Sequence, residues 1–271
     1  MNEFLVMTLL AGLGASIAGG VVGSYVVIKR IVFICGSIAH SVIGGLGLFL
    51  YLKRVHNLPL EPIYGALLAA LISAFLIGWI KLYYHQREDT VIAAIWAFGM
   101  AIGVIFISLT PGYNVELINF LFGNILWTSH SDILMLLILD AVILLICALF
   151  HRRFLAISFD ETQAKLQRLK VGRLYFLLLA LVAITTTLLI QIVGAILLIA
   201  ILTLPSAMAN TYTKRLFPMI CLAVILSIAM TFLGIYLSFT LNWPPGATIA
   251  LTSTLCYLAH LPTRRLGIVN K

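Results

Sequence analysis

RLYFLLLALVAITTTLLIQIVGAILLIAILTLPSAMANTYTK, residues 173–214, carries no charge between its end residues Arg173 and Lys214 for 40 positions. A helix rises about 1.5 Å per residue and a bilayer's hydrocarbon core is about 30 Å thick. Forty helical residues would reach about 60 Å, too far for one crossing. The stretch therefore holds two crossings, with the break expected at Gln191-Ile192-Val193-Gly194, the most polar point of its middle. The same reasoning applies to the 48 uncharged residues between Arg215 and Arg264. There the break falls at Asn242-Trp243-Pro244-Pro245-Gly246, a turn signal.

Working outward, the remaining uncharged runs cover 4–28, 31–52, 63–80 and 90–115, and a run near 133–150 carries only Asp140. The whole 271-residue chain is 62% hydrophobic and 10% charged, with a mean hydropathy of +1.13. No soluble domain of this size buries that much apolar surface, so the chain reads as an all-α polytopic membrane protein. Glu3 and the lack of a basic residue before the first apolar run argue against a cleaved signal peptide. Cys35, Cys147, Cys221 and Cys256 all lie in apolar segments, without the spacing of a disulfide framework or a zinc knuckle.

The formal charge of +8 is spread as short basic clusters between apolar runs, which is how membrane topology is written rather than how nucleic acid is bound. Nine crossings are expected: 4–28, 31–52, 62–83, 90–110, 132–150, 174–191, 194–209, 217–238 and 246–262. With the N-terminus outside and the C-terminus cytoplasmic, 15 of the 17 basic residues fall inside, leaving only Lys53 and Arg54 outside. Eight crossings, with 174–209 as one, would move Lys214 and Arg215 outside and fit less well. Rows of small residues, Gly12-Ser16-Gly20, Ala15-Gly19-Gly23 and Gly99-Gly103, are expected to let helix backbones approach closely.

Two connections are more than linkers. In 151–173, Ser158-Phe159-Asp160-Glu161 reads as a capping box with Ser158 at N-cap, opening a short helix from Thr162 to Lys170. Ala164, Leu166 and Leu169 would form its apolar side. Such a helix either docks a soluble partner or lies on anionic lipid. The outer segment 111–131 is too apolar for a solvated loop, and is expected to fold back as a re-entrant or capping piece; Glu116, Asn119, Asn124 and His130 are its polar members.

His40 lies in mid-run, within CGSIAHSVIGGLG, with Gly36 and Gly44 one turn either side on the same helix face. An ionisable group at that depth is a functional-site hypothesis by default, the bland alternative being a helix–helix hydrogen bond. Asp140 is also deep, and reads first as a structural hydrogen-bonding residue. Gln191 and Asn210 read as hydrogen-bonding groups, and His56, His85, His151 and His260 as interfacial ones.

In order along the chain, GGVVGSYVVIKRIVFICGSIAHSVIGG, VELINFLFGN, SFDETQAKLQRLKVG, LLIAILTLPSAMA and LNWPPGATIAL resemble the membrane permeases of ATP-binding-cassette importers for zinc, manganese or iron. The resemblance covers nearly the whole chain and implies a single permease domain, 1–271, similar in fold to the cobalamin-importer permeases. It further implies a homodimer in a bacterial inner membrane, two cytoplasmic ATPase subunits and an extracytoplasmic metal-binding protein. The region 157–172 would couple to the ATPase, with Phe159, Asp160, Ala164 and Gly172 at the matching positions, which favours partner docking over lipid.

The family's second span often carries an Asp four residues before a His. His40 matches that His, whereas Gly36 stands where the Asp would be, with Ser37 beside it. Imidazole without a carboxylate suits zinc, while manganese prefers oxygen ligands, so zinc is the favoured ion. Ser37 and Glu116 are weaker candidate ligands, Glu116 matching an acidic position of the family. Gly36, Gly44 and Asn124 are the expected lining of the translocation path. No cofactor resident in this chain is expected.

No enzyme signature is present: there is no Walker A loop, so ATP hydrolysis must lie on a partner, and no HExxH or GxSxG. Two rival readings remain: a manganese or iron importer of the same family, and a proton-coupled secondary transporter or membrane enzyme using Asp140.

Overall fold

A computed structural model describes residues 2–84, 88–112, 120, 123, 125 and 128–265. Among them are nine helices and no strand: α1 (Asn2–Lys29), α2 (Val32–Val55), α3 (Pro62–Tyr83), α4 (Glu88–Leu109), α5 (His130–Phe159), α6 (Glu161–Leu166), α7 (Val171–Tyr212), α8 (Leu216–Leu241) and α9 (Pro245–Arg265). Seven of the nine are long and apolar enough to cross a membrane. Leu68, Ile72 and Phe75 of α3, Phe98 and Ile105 of α4, and Leu134, Leu137 and Leu145 of α5 are exposed large hydrophobic side chains. Faces of that kind suit a lipid surround, where apolar exposure carries no penalty.

Residue pairings fix the direction of each helix. Running along α1, Gly14 faces Leu136 and Asp140, Tyr25 faces His151, and Lys29 reaches Ile157, so α1 and α5 are parallel. At α3, Gly78 packs on Phe176 and Leu179, with Leu82 near Gly172, so the first part of α7 is antiparallel to α3. Later in α7, Ile201 meets Gly19 while Leu202 and Ser206 meet Gly23, so that part runs parallel to α1. The chain has turned back inside α7.

The reversal occurs at Gly194, with φ 80° and ψ 162° between two helical stretches. That backbone region is essentially open only to glycine. The sequence placed the break at Gln191–Gly194, and the structure puts it on the last of those four. The two stretches sit at the centre of the bundle, against α1, α2, α3, α5, α8 and α9. Helix α9 lies antiparallel along α8, with Gly234 on Ile249, and its His260 returns to Thr211 and Tyr212. Asn242, in the left-handed conformation at the end of α8, and Pro244-Pro245 make the second expected turn.

The small-residue rows act as packing surfaces. Gly12, Ser16 and Gly20 face α8 at Thr231, Ile235 and Val224, with Ser16 Oγ donating to Thr231 Oγ1 at 3.0 Å. Gly19 and Gly23 seat α7. Gly99 and Gly103 of α4 seat α2.

Two expectations need correction. Helix α5 runs to Phe159, not to about 150: Phe154 and Ile157 still bury beyond the Arg152-Arg153 pair, so the helix continues past its charges. The cap of the next helix is Asp160, not Ser158. Asp160 lies in extended backbone and its Oδ1 accepts from Thr162 N at 2.8 Å and Gln163 N at 3.0 Å. Ser158 is still inside α5, so the short helix covers only Glu161–Leu166 rather than Thr162 to Lys170.

Candidate functional site

On α2, the 3.6-residue period lines up Gly36, His40 and Gly44. Helix α4 runs parallel to α2 along this side. A Cβ on Gly44 would lie 2.8 Å from the Gly99 carbonyl oxygen, and one on Gly47 would lie 2.7 Å from that of Gly103. The two backbones therefore touch, and glycine is what permits it. At Gly36 the neighbour is a side chain, Trp96 of α4, 3.7 Å from where a Cβ would be. The space the glycines leave is thus filled by α4 in this state.

Trp96 lies flat on His40, with ring centroids 4.2 Å apart and planes 12° from parallel. Its indole N–H donates to Met100 Sδ at 3.1 Å. His40 is half-buried, and its Nδ1 is buried without a hydrogen-bond partner among the described residues. The helix–helix hydrogen bond expected of a merely structural histidine is missing at that nitrogen. Ser37 is fully buried and its Oγ donates to Ile92 O at 2.9 Å, so it faces the α4 backbone.

Among the described residues no three His, Cys, Asp or Glu side chains converge as a ligand set. Glu116, Asn119 and Asn124 lie outside the described residues. Of the outer segment, Phe120 and Ile125 are buried, and Gly123, at φ 75°, presses on the Val193–Gly194 backbone. Ser129 and Asp132 cap α5 reciprocally. A cavity of about 290 Å3 opens beside this region, lined by Val42, Leu46, Glu61, Phe120, Thr187 and Gln191 among others. Its lining does not include His40.

Asp140 is buried on α5, its carboxylate against Gly14 of α1, and neither oxygen makes a well-formed hydrogen bond among the described residues. Its polar contact is with the Ala18 backbone of α1. Toward the Lys29 end of the same α1–α5 seam, Tyr25 and His151 are 3.1 Å apart through OH and Nδ1.

At that end Lys29 Nζ donates to Ile157 O and to Glu161 Oε1. Burial by itself would raise the Glu161 carboxyl, but the bond and charge of Lys29, helped by Lys81 and Lys165, hold it below the usual carboxylate range. A depressed folded value means the pair contributes stability above the ordinary carboxylate pKa, lost as pH falls through the folded value. Thermal unfolding in detergent is expected to shift downward below about pH 4, and Glu161→Gln to remove that part of the shift. An unchanged acid profile in the variant would show that the pair contributes nothing.

Of the coupling candidates, Ala164 is buried and Phe159 is 66% exposed; Leu166, on the expected apolar side of the short helix, is 81% exposed. Leu166 was expected on the packed side and instead points away. Among the described residues Gly172 faces Leu82, 3.5 Å from its would-be Cβ.

A model of the ABC 3 transport family matches residues 1–263. The chain belongs to that family. It is a permease-type membrane subunit, multi-pass in a bacterial inner membrane, and not itself an enzyme, since the family's ATPase is a separate subunit. A probable metal transport system membrane protein of Chlamydia pneumoniae is 48% identical over 261 residues, spanning 96% of this chain and 89% of the relative. The manganese transport system membrane protein MntC of Halalkalibacterium halodurans is 29% identical, over 99% and 90% of the two chains. PsaBC from Streptococcus pneumoniae, in complex with a Fab, has the same fold, with TM-score 0.84, 28% identity and coverage of 99% and 95%.

The sequence missed Trp96 and the Lys29–Glu161 pair. Nothing in α2 marks Trp96 as its partner. For the ion pair a signal existed, because the charge map put both residues in inner loops.

Proposed function

We propose that this chain is one of two identical permease subunits in an ATP-driven importer of a divalent transition-metal ion. The observation that carries it is His40, an imidazole inside the apolar helix α2 whose buried Nδ1 has no hydrogen-bond partner among the described residues, in a family whose relatives are named for metal transport. The N-terminus lies outside and the chain crosses nine times: the seven long apolar helices, α7 twice, give eight, and α9, which is not among those seven, gives the ninth. Two ATP-binding-cassette subunits act at the Lys29 end, on Phe159, Asp160, Ala164, Leu166 and Gly172, and an extracytoplasmic metal-binding protein delivers the ion at the other. His40 contacts or gates the ion, with Ser37 one turn before it on α2, and Glu116 and Asn124 are the further candidates from the sequence. Gly36 and Gly44 give room when α4 moves off α2. The ion is cargo, and no resident cofactor is needed.

Zinc is favoured by an imidazole without the neighbouring carboxylate. Manganese is the second reading, supported by the name of the Halalkalibacterium relative. Uptake of labelled zinc and manganese by cells carrying the chain with its ATPase subunit separates the two. Gly36→Asp adds a Cβ in ordinary contact with the edge of Trp96, at 3.7 Å, and is expected to move the preference toward manganese. Uptake that continues without the ATPase subunit and follows a proton gradient would overturn the proposal and restore the Asp140 reading.

Coupling through α6 has its own test. Ala164→Glu places a charge at a buried position under α6, and is expected to lower ATP-dependent uptake at least about tenfold while membrane insertion stays normal. Uptake at the unmodified rate would remove α6 from the coupling path.

A further inference from the structure

We propose that the groove between the end of α5, the 167–170 turn and the start of α7 binds an anionic phospholipid of the inner leaflet. The groove, about 380 Å3, is edged by Arg153, Arg168, Lys170 and Arg173. No acidic side chain is among the described residues that line it. The turn that gathers these cations is tight: Arg168 sits at φ 60°, its N–H donating to Lys165 O, and Val171 N–H donates back to Leu169 O. Four like charges brought together repel unless an anion offsets them.

The rest of the wall is apolar and lies on the bundle side. Phe150 is one turn before Arg153 on α5, and the Arg153 guanidinium rests 5.3 Å from its ring centroid. Leu174 and Leu177 continue up α7 from Arg173. From Lys170 to Leu177 the helix climbs about 10 Å, the distance from a phosphate to the first part of an acyl chain. A free phosphate would use the cations and leave Phe150, Leu174 and Leu177 unexplained. An acidic segment of the ATPase would do the same, since a polar surface gains nothing from that wall. Basic pockets beside membrane helices on the cytoplasmic side are suited to such headgroups.

The proposal rests on the Lys29 end being cytoplasmic. Sidedness is therefore measured apart, by labelling Gln167→Cys with an impermeant thiol reagent in spheroplasts and in inverted vesicles. Delipidated protein is then titrated with cardiolipin, phosphatidylcholine or inorganic phosphate, and bound lipid is counted by native mass spectrometry. Cardiolipin is expected to bind and to raise the unfolding temperature, with phosphatidylcholine and phosphate doing neither. Arg153→Gln with Arg173→Gln is expected to weaken cardiolipin at least about tenfold, each basic residue contributing about fivefold. Gel filtration and ATPase-subunit binding, unchanged in that variant, report that it is folded.

Equal binding of cardiolipin by the variant, or equal binding of phosphatidylcholine, overturns the site. Protection by phosphate alone overturns it in favour of a soluble anion. Loss of ATPase-subunit binding in the variant, with lipid retained, overturns it in favour of a partner surface. Labelling of Gln167→Cys only from outside would sink the topology and the inner-leaflet assignment together, whatever lipid then bound.

Discussion

His40→Ala is expected to cut metal uptake by at least about tenfold while membrane insertion and ATPase-subunit binding stay normal. Loss of groups that merely orient a ligand costs about 10–100-fold in metal affinity, and loss of a contacting nitrogen should cost no less. The variant also deletes a ring stacked on Trp96, so uptake alone would not separate chemistry from packing. His40→Phe separates them. It keeps a flat ring against the indole and removes both nitrogens. Equal loss in the two variants points to the imidazole; normal uptake in His40→Phe would reduce His40 to a packing residue and end its role in the path.

Gly45→Val is expected to have the largest effect on folding. A Cβ at 45 would sit 1.9 Å from the Gly65 carbonyl oxygen and 2.5 Å from its carbonyl carbon. The reverse contact, from Gly65 to the Gly45 oxygen, is 2.3 Å. No rotamer change relieves a clash with backbone, so α2 and α3 must part. Between helices in lipid, association rests largely on close van der Waals packing, and that is what is lost. Overpacking at this severity costs about 3 kcal/mol or more. The readout is the yield of monodisperse protein extracted in mild detergent. Gly36→Ala is the control, because its neighbour at 3.7 Å is in ordinary contact. If Gly45→Val extracts as well as Gly36→Ala, the α2–α3 crossing is looser than described.

The bundle was legible because lipid makes charge and length into strict rules. The 40-residue run between Arg173 and Lys214 had to fold back, and Gly194 is where it does. What escaped was set by contacts between distant segments. Phe154 and Ile157 bury against other helices, so α5 continues beyond Arg153 although the charges there read as an end. Asp160 displaced Ser158 as cap because the chain bends two residues later than the pattern indicates, and Glu161, cast as the capping-box acid, turns to Lys29 instead. His40 was visible as costly from its run alone. Trp96 was not, since it belongs to another helix and looks like one more apolar residue in an apolar span.

The seam between α2 and α4 has a mechanical consequence. Around Gly44, Gly47, Gly99 and Gly103 backbone lies on backbone, and only the small Ser41 side chain and a branch of Ile43 seat against the α4 glycines. Such a seam is a slip plane. What pins its register is the bond from Ser37 to Ile92 and the stack of His40 on Trp96, both at one end of it. An ion that drew the imidazole away from the indole would remove one of these two pins, so on the proposed role of His40 the group that meets the cargo would also latch the slide.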